Sequence, residues 1–200
     1  QIDNFGYNPT GRPFFYNNKL YIQTNLGAAN GVGAMVCFDL ATMTISKLFD
    51  FDTNIGYDND TYDFGRDTIV HNNILYVTKS LGGANAVGTF LAYDLINNTV
   101  SKIADLNNSL GAVNTSVARD VGYVNILNNE LRLLYRDRLL RYDIASGTVT
   151  SDVDLNYSGN IKSAVFSQNN RLYIGVDRTT YMYNLTTMQQ FQDTSSPTTV

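Results

Sequence analysis

The sequence predicts an all-β protein in which one unit of four short strands is repeated four times. Two marks carry this prediction, and no stretch of the chain has the apolar spacing of a helix. The first mark is an Asn-Asn pair followed after one residue by Leu, as in NNKL, NNIL, NNEL and NNRL. The second is an aromatic residue, then Asp or Asn, then Leu or Ile, as in FDL, YDL, YDI and YNL. Turns that recur between short apolar runs are typical of all-β architectures.

The Asn-Asn pairs are predicted to form tight hairpin turns. They fall at Asn17-Asn18, Asn72-Asn73, Asn128-Asn129 and Asn169-Asn170. Asn tolerates the left-handed backbone conformation that a two-residue hairpin needs, and runs of alternating apolar residues flank each pair. Each pair should therefore join the first strand of a unit to its second.

The aromatic-Asp mark is predicted to end the third strand of each unit. It falls at Phe38-Asp39-Leu40, Tyr93-Asp94-Leu95, Tyr142-Asp143-Ile144 and Tyr183-Asn184-Leu185. We expect the short polar side chain to accept hydrogen bonds from backbone amides of the turn that follows. The chain then reverses into a fourth strand.

The units defined by these marks cover approximately residues 11–52, 65–107, 118–155 and 160–193. In the first unit the strands are predicted at 12–16, 20–24, 33–39 and 44–51. Four antiparallel strands per repeat favour a β-propeller over a sandwich. We therefore expect a β-propeller domain over residues 1–193, either a four-bladed ring or part of a larger propeller. Residues 194–200 are predicted to be a polar linker or tail.

The repeat resembles the kelch type of β-propeller repeat over nearly the whole chain. The resemblance rests on Arg66, Leu75-Tyr76-Val77, Tyr93-Asp94 and the position six residues after that Asp. A kelch repeat has Gly-Gly after its second strand, where this chain has Thr78-Lys79. It also has Trp six residues past the Asp, where this chain has Ile45, Val100, Val149 and Gln190. Quinoprotein-like propellers share the YDL…GTV hairpin, so the resemblance implies an architecture rather than one family function.

Composition and charge argue against several classes of protein. The net charge is −4 and the positive charges are scattered, which argues against nucleic-acid binding. No apolar run is long enough for a membrane span, and the chain does not begin with a signal-peptide pattern. Cys37 is the single cysteine, so we expect it to pack as a small apolar residue on a strand.

The ends and the polar composition indicate where the protein works. The chain begins at Gln1 rather than Met, which suggests a processed mature form or a fragment. Residues 1–12 resemble the link that ends at Arg66, so residues 1–4 are expected to trail from a preceding blade, or alternatively to close the ring as its final strand. Abundant Asn, Thr, Ser and Tyr with few Lys favour an extracellular or particle-surface protein. Six sequons, which would carry glycans in a eukaryotic secretory pathway, lie at Asn59, Asn97, Asn107, Asn114, Asn156 and Asn184.

The acidic link between the first two units is a candidate calcium site. Its alternate oxygen-bearing residues are Asp50, Asp52, Asn54, Asp58 and Asp60. Ca²⁺ is bound by such oxygen ligands on a tight loop, although Gly56 falls one place late and the twelfth position is Thr61. The alternative interpretation is a solvated loop between blades.

Three arginines form a second candidate site. Arg12, Arg66 and Arg119 each stand at the start of a first strand, and the innermost strands of a propeller line its central channel. Guanidinium groups that converge there could bind a carboxylate, phosphate or sulfated ligand. In the alternative interpretation, each Arg pairs with an acidic neighbour such as Asp67 or Asp120 and locks adjacent blades together.

Two long Gly-rich hairpins, NLGAANGVGAMV and SLGGANAVGTFL, distinguish the first two units from the last two. Long loops on a rigid scaffold often carry recognition, whereas a recent duplication with contact between the hairpins is the alternative interpretation. No catalytic constellation is recognisable, because His71 has no evident partner in the sequence. A pair of carboxylates of the glycosidase type stays open, since their separation cannot be derived from sequence.

These observations predict a non-catalytic recognition or structural module that requires no cofactor. It would bind a glycan, a peptide or a partner subunit through loops on one face. Two other hypotheses stay open. One is a fragment of a propeller enzyme such as a glycoside hydrolase, lyase or oxidase, and the other is a surface component of a viral, phage or filament assembly.

Overall fold

The computed structural model describes residues 5–56, 68–79, 82–85, 88–106, 121–127, 129–135, 138–154, 161–167, 169–176, 179–187 and 189–195. Sheet 1 contains β1 (Tyr7–Tyr16), β2 (Lys19–Leu26), β3 (Ala34–Asp39) and β4 (Thr44–Asp50). Sheet 2 contains β5 (Thr68–His71), β6 (Ile74–Lys79), β7 (Thr89–Asp94) and β8 (Thr99–Asp105). Sheet 3 contains β9 (Val121–Leu127), β10 (Glu130–Tyr135), β11 (Arg138–Asp143) and β12 (Thr148–Asp154). Sheet 4 contains β13 (Ile161–Ser167), β14 (Arg171–Val176), β15 (Thr179–Asn184) and β16 (Gln189–Ser195).

Each sheet is built from four consecutive strands, and every strand is antiparallel to the next. This confirms the prediction of an all-β chain of four-stranded antiparallel units. Two bounds differ by more than two residues from those predicted. β1 begins at Tyr7 rather than residue 12, and β16 continues to Ser195, into the stretch predicted as a linker. Within the described residues there is no helix, and hence no helical segment able to cross a membrane.

The Asn-Asn turns adopt the left-handed conformation that the sequence predicts. Both Asn17 (φ 47°) and Asn18 (φ 61°) have positive φ, as do Asn72 (φ 50°) and Asn73 (φ 62°). In the third and fourth turns, Asn129 (φ 61°) and Asn170 (φ 55°) do the same. Positive φ at both central residues matches the right-handed twist of the flanking strands, which is why Asn is suited to these places.

One row of four cross-strand neighbours runs across every sheet, and we call it the apolar row. The rows are Phe15–Leu20–Phe38–Ile45, Val70–Leu75–Tyr93–Val100, Ile126–Leu131–Tyr142–Val149 and Phe166–Leu172–Tyr183–Gln190. The Leu in each row is the one that follows the Asn-Asn turn. Because side chains alternate along a strand, the members of a row share one face of their sheet.

The core lies between adjacent sheets rather than within one of them. Tyr21 and Met35 of sheet 1 pack against Leu75 and Leu91 of sheet 2. On its other face, sheet 2 packs against sheet 3 in a second cluster, formed by Tyr76, Phe90, Leu106, Leu131, Leu133 and Leu140. Burying each large apolar side chain contributes roughly 1.5–3 kcal/mol, so these interfaces hold the sheets together.

The first strands also contact one another in chain order. Contacts join β1 to β5, β5 to β9, and β9 to β13. Each of these strands is the first of its sheet and has only one hydrogen-bonded neighbour within it. The four sheets therefore meet along their first strands, and their fourth strands form the other edges.

Candidate recognition face

Three segments leave the sheets at the end opposite to the Asn-Asn turns, and together they form what we call the hairpin face. They are the β2–β3 hairpin at 27–33, the link at 51–56 and the described residues 82–85 and 88 of the β6–β7 hairpin. Consecutive strands are antiparallel, so the second and fourth strands of a sheet run in the same direction and end on the same side. The second hairpin and the link that follows the fourth strand therefore lie at one end of the sheet. The tips of both hairpins are exposed.

The β2–β3 hairpin is fixed to the end of its own sheet. The Ala29 amide donates to Asp50 Oδ1 at 3.1 Å, and Asn30 Nδ2 donates to the Phe51 carbonyl at 2.9 Å. Asp50 Oδ2 lies 2.8 Å from Lys47 Nζ, in an ion pair on the same strand end. We call this arrangement the clasp, and it ties an exposed loop to the end of β4 and the residue that follows it.

The same clasp recurs in sheet 2. The Ala84 amide donates to Asp105 Oδ1 at 2.8 Å, and Asn85 Nδ2 donates to the Leu106 carbonyl at 3.0 Å. Lys102 Nζ pairs with Asp105 Oδ2 at 2.9 Å. Burial opposes ionisation of Asp105, but the hydrogen bonds from Lys102 and from Ala84 outweigh it and lower the pKa of the carboxyl. In sheet 2 the clasp therefore keeps a charged Asp beneath the hairpin tip.

Two glycines permit the close packing that the hairpins need. A Cβ at Gly33 would overlap the backbone carbonyl of Thr24, and φ at Gly33 is 90°. A Cβ at Gly83 would overlap the Asp105 carboxylate and lie 2.6 Å from Thr89 Cγ2. Only Gly combines positive φ with so little space, so both positions are fixed by geometry.

The described part of the acidic link is a clamp between sheets 1 and 2. Three consecutive carbonyl oxygens, those of Thr53, Asn54 and Ile55, accept hydrogen bonds from sheet 2. Their donors are the Gly83 amide at 2.9 Å, Lys102 Nζ at 3.3 Å and Thr89 Oγ1 at 2.5 Å. The duplication interpretation of the sequence implies contact between the hairpins, whereas the bond from Gly83 joins the second hairpin to the link.

A buried lysine lies beneath the hairpin face. Lys79 is fully buried at the end of β6, and its Nζ donates to Gln23 Oε1 at 2.6 Å. The same Nζ lies 3.4 Å from the centroid of the Phe51 ring. Gln23 Nε2 in turn donates to Thr68 Oγ1 at 2.9 Å, so the cluster bridges sheets 1 and 2. A buried charge is tolerated where hydrogen bonds and an aromatic face replace water.

The sequence analysis did not identify this cluster. One signal was available, because Lys79 follows Leu75 and Val77 at the two-residue spacing of one strand face. Those two residues are buried, and strand alternation places Lys79 on the same side. A Lys at the end of a strand is ordinarily solvated, which is why the spacing was not interpreted as burial.

The candidate calcium ligands lie only partly within the described residues. Asp52 Oδ1 accepts the amides of Asn54 at 2.8 Å and Ile55 at 2.7 Å, which shapes the link. Asp50 belongs to the clasp, and Asp58 and Asp60 lie outside the described residues. Among the described residues, no three His, Cys, Asp or Glu side chains are grouped closely enough to hold a metal ion. The calcium site stays a prediction.

The candidate arginine site likewise stays a prediction. Arg12 lies on β1, whereas Arg66 and Arg119 lie outside the described residues. The contacts from β1 to β5 and from β5 to β9 place the first strands of these units side by side.

Two of the six sequons lie on described turns. Asn97 is exposed and its Nδ2 donates to Asp94 Oδ2 at 2.7 Å, while Asn184 caps the turn after β15. The other four, Asn59, Asn107, Asn114 and Asn156, lie outside the described residues.

The single histidine and the single cysteine both have structural surroundings. His71 Nε2 lies 3.1 Å from Asn129 Oδ1, which joins the Asn-Asn turns of sheets 2 and 3 and supplies the partner that the sequence did not reveal. Cys37 is buried on β3, as predicted, and burial raises the pKa of its thiol. A buried thiol with a raised pKa is a poor nucleophile.

Comparison with known proteins defines the fold but not a family. No family model and no curated protein matches the chain. Two solved structures of the extracellular domain of BT4673 from B. thetaiotaomicron, described as a one component system and as a hybrid two component system, are similar to it. Their TM-scores are 0.57 and 0.60, at 15% and 14% identity. The matches cover 94% and 95% of this chain but only 23% and 24% of the other.

A third similar structure is the N-terminal domain of Nup159, with a TM-score of 0.51 at 13% identity. That match covers 92% of this chain and 47% of the other. The chain thus spans about a quarter of the BT4673 extracellular domain, and at these identities the likeness concerns the fold alone.

Proposed function

We propose that this chain is a β-propeller, or part of one, that acts as a non-catalytic recognition or structural module outside the cell or on a particle surface. Four-stranded antiparallel sheets that meet along their first strands support the propeller architecture. Similarity to extracellular domains of a bacterial sensor supports the location. In this proposal the hairpin face is the binding surface.

The observation that carries the proposal is the pair of clasps. Each holds an exposed hairpin tip by hydrogen bonds to a strand-end Asp and to the backbone carbonyl that follows it. A surface that is already ordered loses less conformational entropy when it binds, so a fixed loop is a better recognition element than a flexible one. In sheets 3 and 4 the corresponding strands are joined by much shorter connections, so the two clasped hairpins set sheets 1 and 2 apart.

The tips themselves are small. Ala29, Asn30 and Gly31 are exposed in the first hairpin, and Ala84 and Asn85 in the second. A Cβ at Gly31 would meet nothing within 4 Å, so the space above this tip is open. Small tips let a partner approach the backbone closely, which suits the hydroxyl groups of a glycan or the main chain of a peptide. These are the ligand classes that we propose, together with a partner subunit.

The test compares charged substitutions on the two ends of the sheets. Ala29→Lys and Ala84→Lys place bulky charges on the tips, and Ala41→Lys, in the exposed β3–β4 turn, is the matched control at the opposite end. Glycan arrays and peptide libraries should show ligands whose binding falls at least about tenfold in both tip variants and is kept in the control. Equal loss in all three variants would reject the hairpin face, and turnover of a bound glycan would reject a non-catalytic role.

A further inference from the structure

The apolar row is covered in sheet 2 and uncovered in sheet 1. In sheet 2, the Val70, Leu75 and Tyr93 side chains are 9%, 0% and 3% exposed, because sheet 1 packs on them. In sheet 1, Phe15 stands at the place of Val70 and is 58% exposed, and Ile45 stands at the place of the half-buried Val100 and is 48% exposed. Leu20 and Phe38, between them, are half-buried. The same position in the repeat is therefore core in one sheet and surface in the other.

The apolar rows of sheets 3 and 4 are buried at their centres, as in sheet 2. Leu131 of sheet 3 is 0% exposed and packs, with Tyr142, against sheet 2. Leu172 and Tyr183 of sheet 4 are 0% and 4% exposed. Sheet 1 thus carries the one described row that no neighbouring sheet covers. Contiguous exposed apolar surface of this kind marks protein–protein contact sites.

The segment that enters sheet 1 is bonded to the sheet in the same way as the segment that enters sheet 2. The Phe5 carbonyl accepts a hydrogen bond from Thr24 Oγ1 at 3.2 Å, as the Ile55 carbonyl does from Thr89 Oγ1 in sheet 2. A Gly follows in both cases, at Gly6 and Gly56. In sheet 2, the apolar row beside the entering segment is covered by sheet 1. Because the segment that enters sheet 1 is bonded in the same way, we expect another sheet to pack on the apolar row of sheet 1.

Two of the faces that cover a neighbouring row carry a Tyr at the same place in the repeat, whereas sheet 3 carries Arg132 there. Tyr21 lies on the face of sheet 1 that covers the row of sheet 2, and Tyr76 lies on the face of sheet 2 that covers the row of sheet 3. Sheet 4 carries Tyr173 at this place, paired across β14 and β15 with Met182. Both side chains are only half-buried. The chain therefore has an uncovered row on sheet 1 and a matching tyrosine face on sheet 4.

We propose that the apolar row of sheet 1 is covered by the tyrosine face of sheet 4 from a second copy of this chain. Among the described strands, the extended contacts between first strands end at β13 and do not return to β1, so no described strand of sheet 4 covers the row of sheet 1 in the same chain. The reciprocal contact, from sheet 4 of the first copy to sheet 1 of the second, closes a two-fold dimer. Closure matters, because head-to-tail contacts that do not close produce filaments.

The first experiment measures the oligomeric state by sedimentation velocity and light scattering. The native chain should show twice its 22.2 kDa mass. Phe15→Asp and Ile45→Asp should each weaken the dimer by about 100-fold or more, since a buried carboxylate in the centre of an apolar contact acts as a disrupted hot spot. Ile96→Asp is the matched control, because Ile96 is 70% exposed but lies on a turn outside the row. It should leave the mass unchanged.

The second experiment identifies the contacting faces. Phe15→Cys and Tyr173→Cys are made as separate variants, mixed and oxidised, and a covalent heterodimer is expected. A native chain that stays monomeric at on the order of 100 μM would overturn the proposal. So would a disulfide formed within one chain that carries both cysteines, because that result would mean closure by its own sheet 4. Loss of the dimer leaves binding at the hairpin face unaffected, so the two proposals fail separately.

Discussion

The β2–β3 hairpin of sheet 1 and the β6–β7 hairpin of sheet 2 have the same clasp. They differ in which strand supplies the threonine hydroxyl that bonds the carbonyl of the segment entering the sheet. In sheet 1 the hydroxyl belongs to Thr24 on β2, and in sheet 2 it belongs to Thr89 on β7. Thr89 pairs across the sheet with Lys79, which occupies the place equivalent to Thr24. Either member of the cross-strand pair can therefore hold the carbonyl of the incoming segment.

This exchange leaves position 79 available for a different residue. Because Thr89 already bonds the Ile55 carbonyl, the place equivalent to Thr24 carries Lys79 instead, and its ammonium bridges to Gln23 of sheet 1. The two hairpins also differ at a second pair of equivalent positions. Ala28 has a φ of 60° at the place of Gly83, and Ala34 stands at the place of Thr89. The comparison teaches that these positions vary as pairs, while the clasp residues stay the same.

The largest expected effect comes from removing the buried lysine. Lys79→Ala leaves Gln23 Oε1 without its donor and a cavity against the Phe51 ring, so the free energy of unfolding should fall by about 3–5 kcal/mol. Lys79→Met keeps most of the volume and should cost less, about 1–3 kcal/mol. Urea unfolding followed by circular dichroism measures both values.

Thr24→Ala in sheet 1 serves as the contrast, because it removes a hydroxyl rather than a charge. Its cost should be about 1–2 kcal/mol. If Lys79→Ala were no more costly than Thr24→Ala, the lysine would not be a bridge between the sheets, and the difference between the two hairpins would carry no energetic weight.

The second prediction concerns the Gly and Ala at equivalent places in the two hairpins. Gly83→Ala should destabilise by about 2–3 kcal/mol, because the new methyl meets Asp105 and Thr89 at a positive φ. Ala28→Gly should change stability by less than about 1 kcal/mol, since it removes only a left-handed Ala.

A double variant sharpens this comparison. Thr89→Ala reproduces the Ala34 of sheet 1 and removes one of the two neighbours that the Gly83→Ala methyl would meet. The double variant should therefore cost less than the sum of the two single changes, by about 0.5–1 kcal/mol in a double-mutant cycle. Strict additivity would show that the two positions do not vary as a pair.

Much of the scaffold was predictable because it depends on local rules. Asn17 and Asn18 predict a left-handed turn, and Asp39 predicts the turn that ends a third strand. Neither prediction depends on which residues pack against the turn. Alternation then places Leu20 on one face of the sheet. These rules gave the units and most strand bounds, since each depends on a few neighbouring residues.

The binding of the link and the buried lysine was not predictable in the same way. The carbonyl oxygens that clamp sheet 1 to sheet 2 belong to the backbone of Thr53, Asn54 and Ile55, and the backbone has no sequence signature. The burial of Lys79 depends on Gln23, which lies far away in the chain. Such features require the relative placement of two sheets, which no single unit encodes.

The third prediction tests calcium binding with the two clasps as internal controls. Asp50 lies in the acidic link, while Asp105 occupies the equivalent clasp position in a sheet without the alternating carboxylates. At a calcium concentration about tenfold above the dissociation constant, the native chain should gain about 1.4 kcal/mol of stability.

Thermal unfolding with and without Ca²⁺ measures this gain as a shift in Tm. The shift should vanish in Asp50→Ala and Asp52→Ala and persist in Asp105→Ala. No shift in the native chain at about 10 mM Ca²⁺, well above the dissociation constants of extracellular calcium modules, would end the calcium hypothesis.

The smallest expected effect concerns the turns after the third strands, where the four units differ in one titratable group. In the first three units the turn amides bond to Asp39, Asp94 and Asp143, and these bonds lower the pKa of each carboxyl. For Asp39 the amide of Thr42 contributes most, followed by that of Ala41. In the fourth unit, Asn184 accepts equivalent bonds from Thr186 at 2.8 Å and Thr187 at 3.2 Å and does not titrate.

The sign of the pH dependence follows from the lowered pKa values. Because the folded state favours the ionised carboxyl, the contribution is present above the unfolded value of about 3.9 and is lost as pH falls through the lower folded value. Changing the three aspartates to Asn should therefore flatten the dependence of stability on pH between about 5 and 2. Asn184→Asp should steepen it, because that variant adds a fourth titrating turn. Urea unfolding across this pH range measures both slopes, and an unchanged slope in Asn184→Asp would mean that the turn bonds do not favour the ionised form.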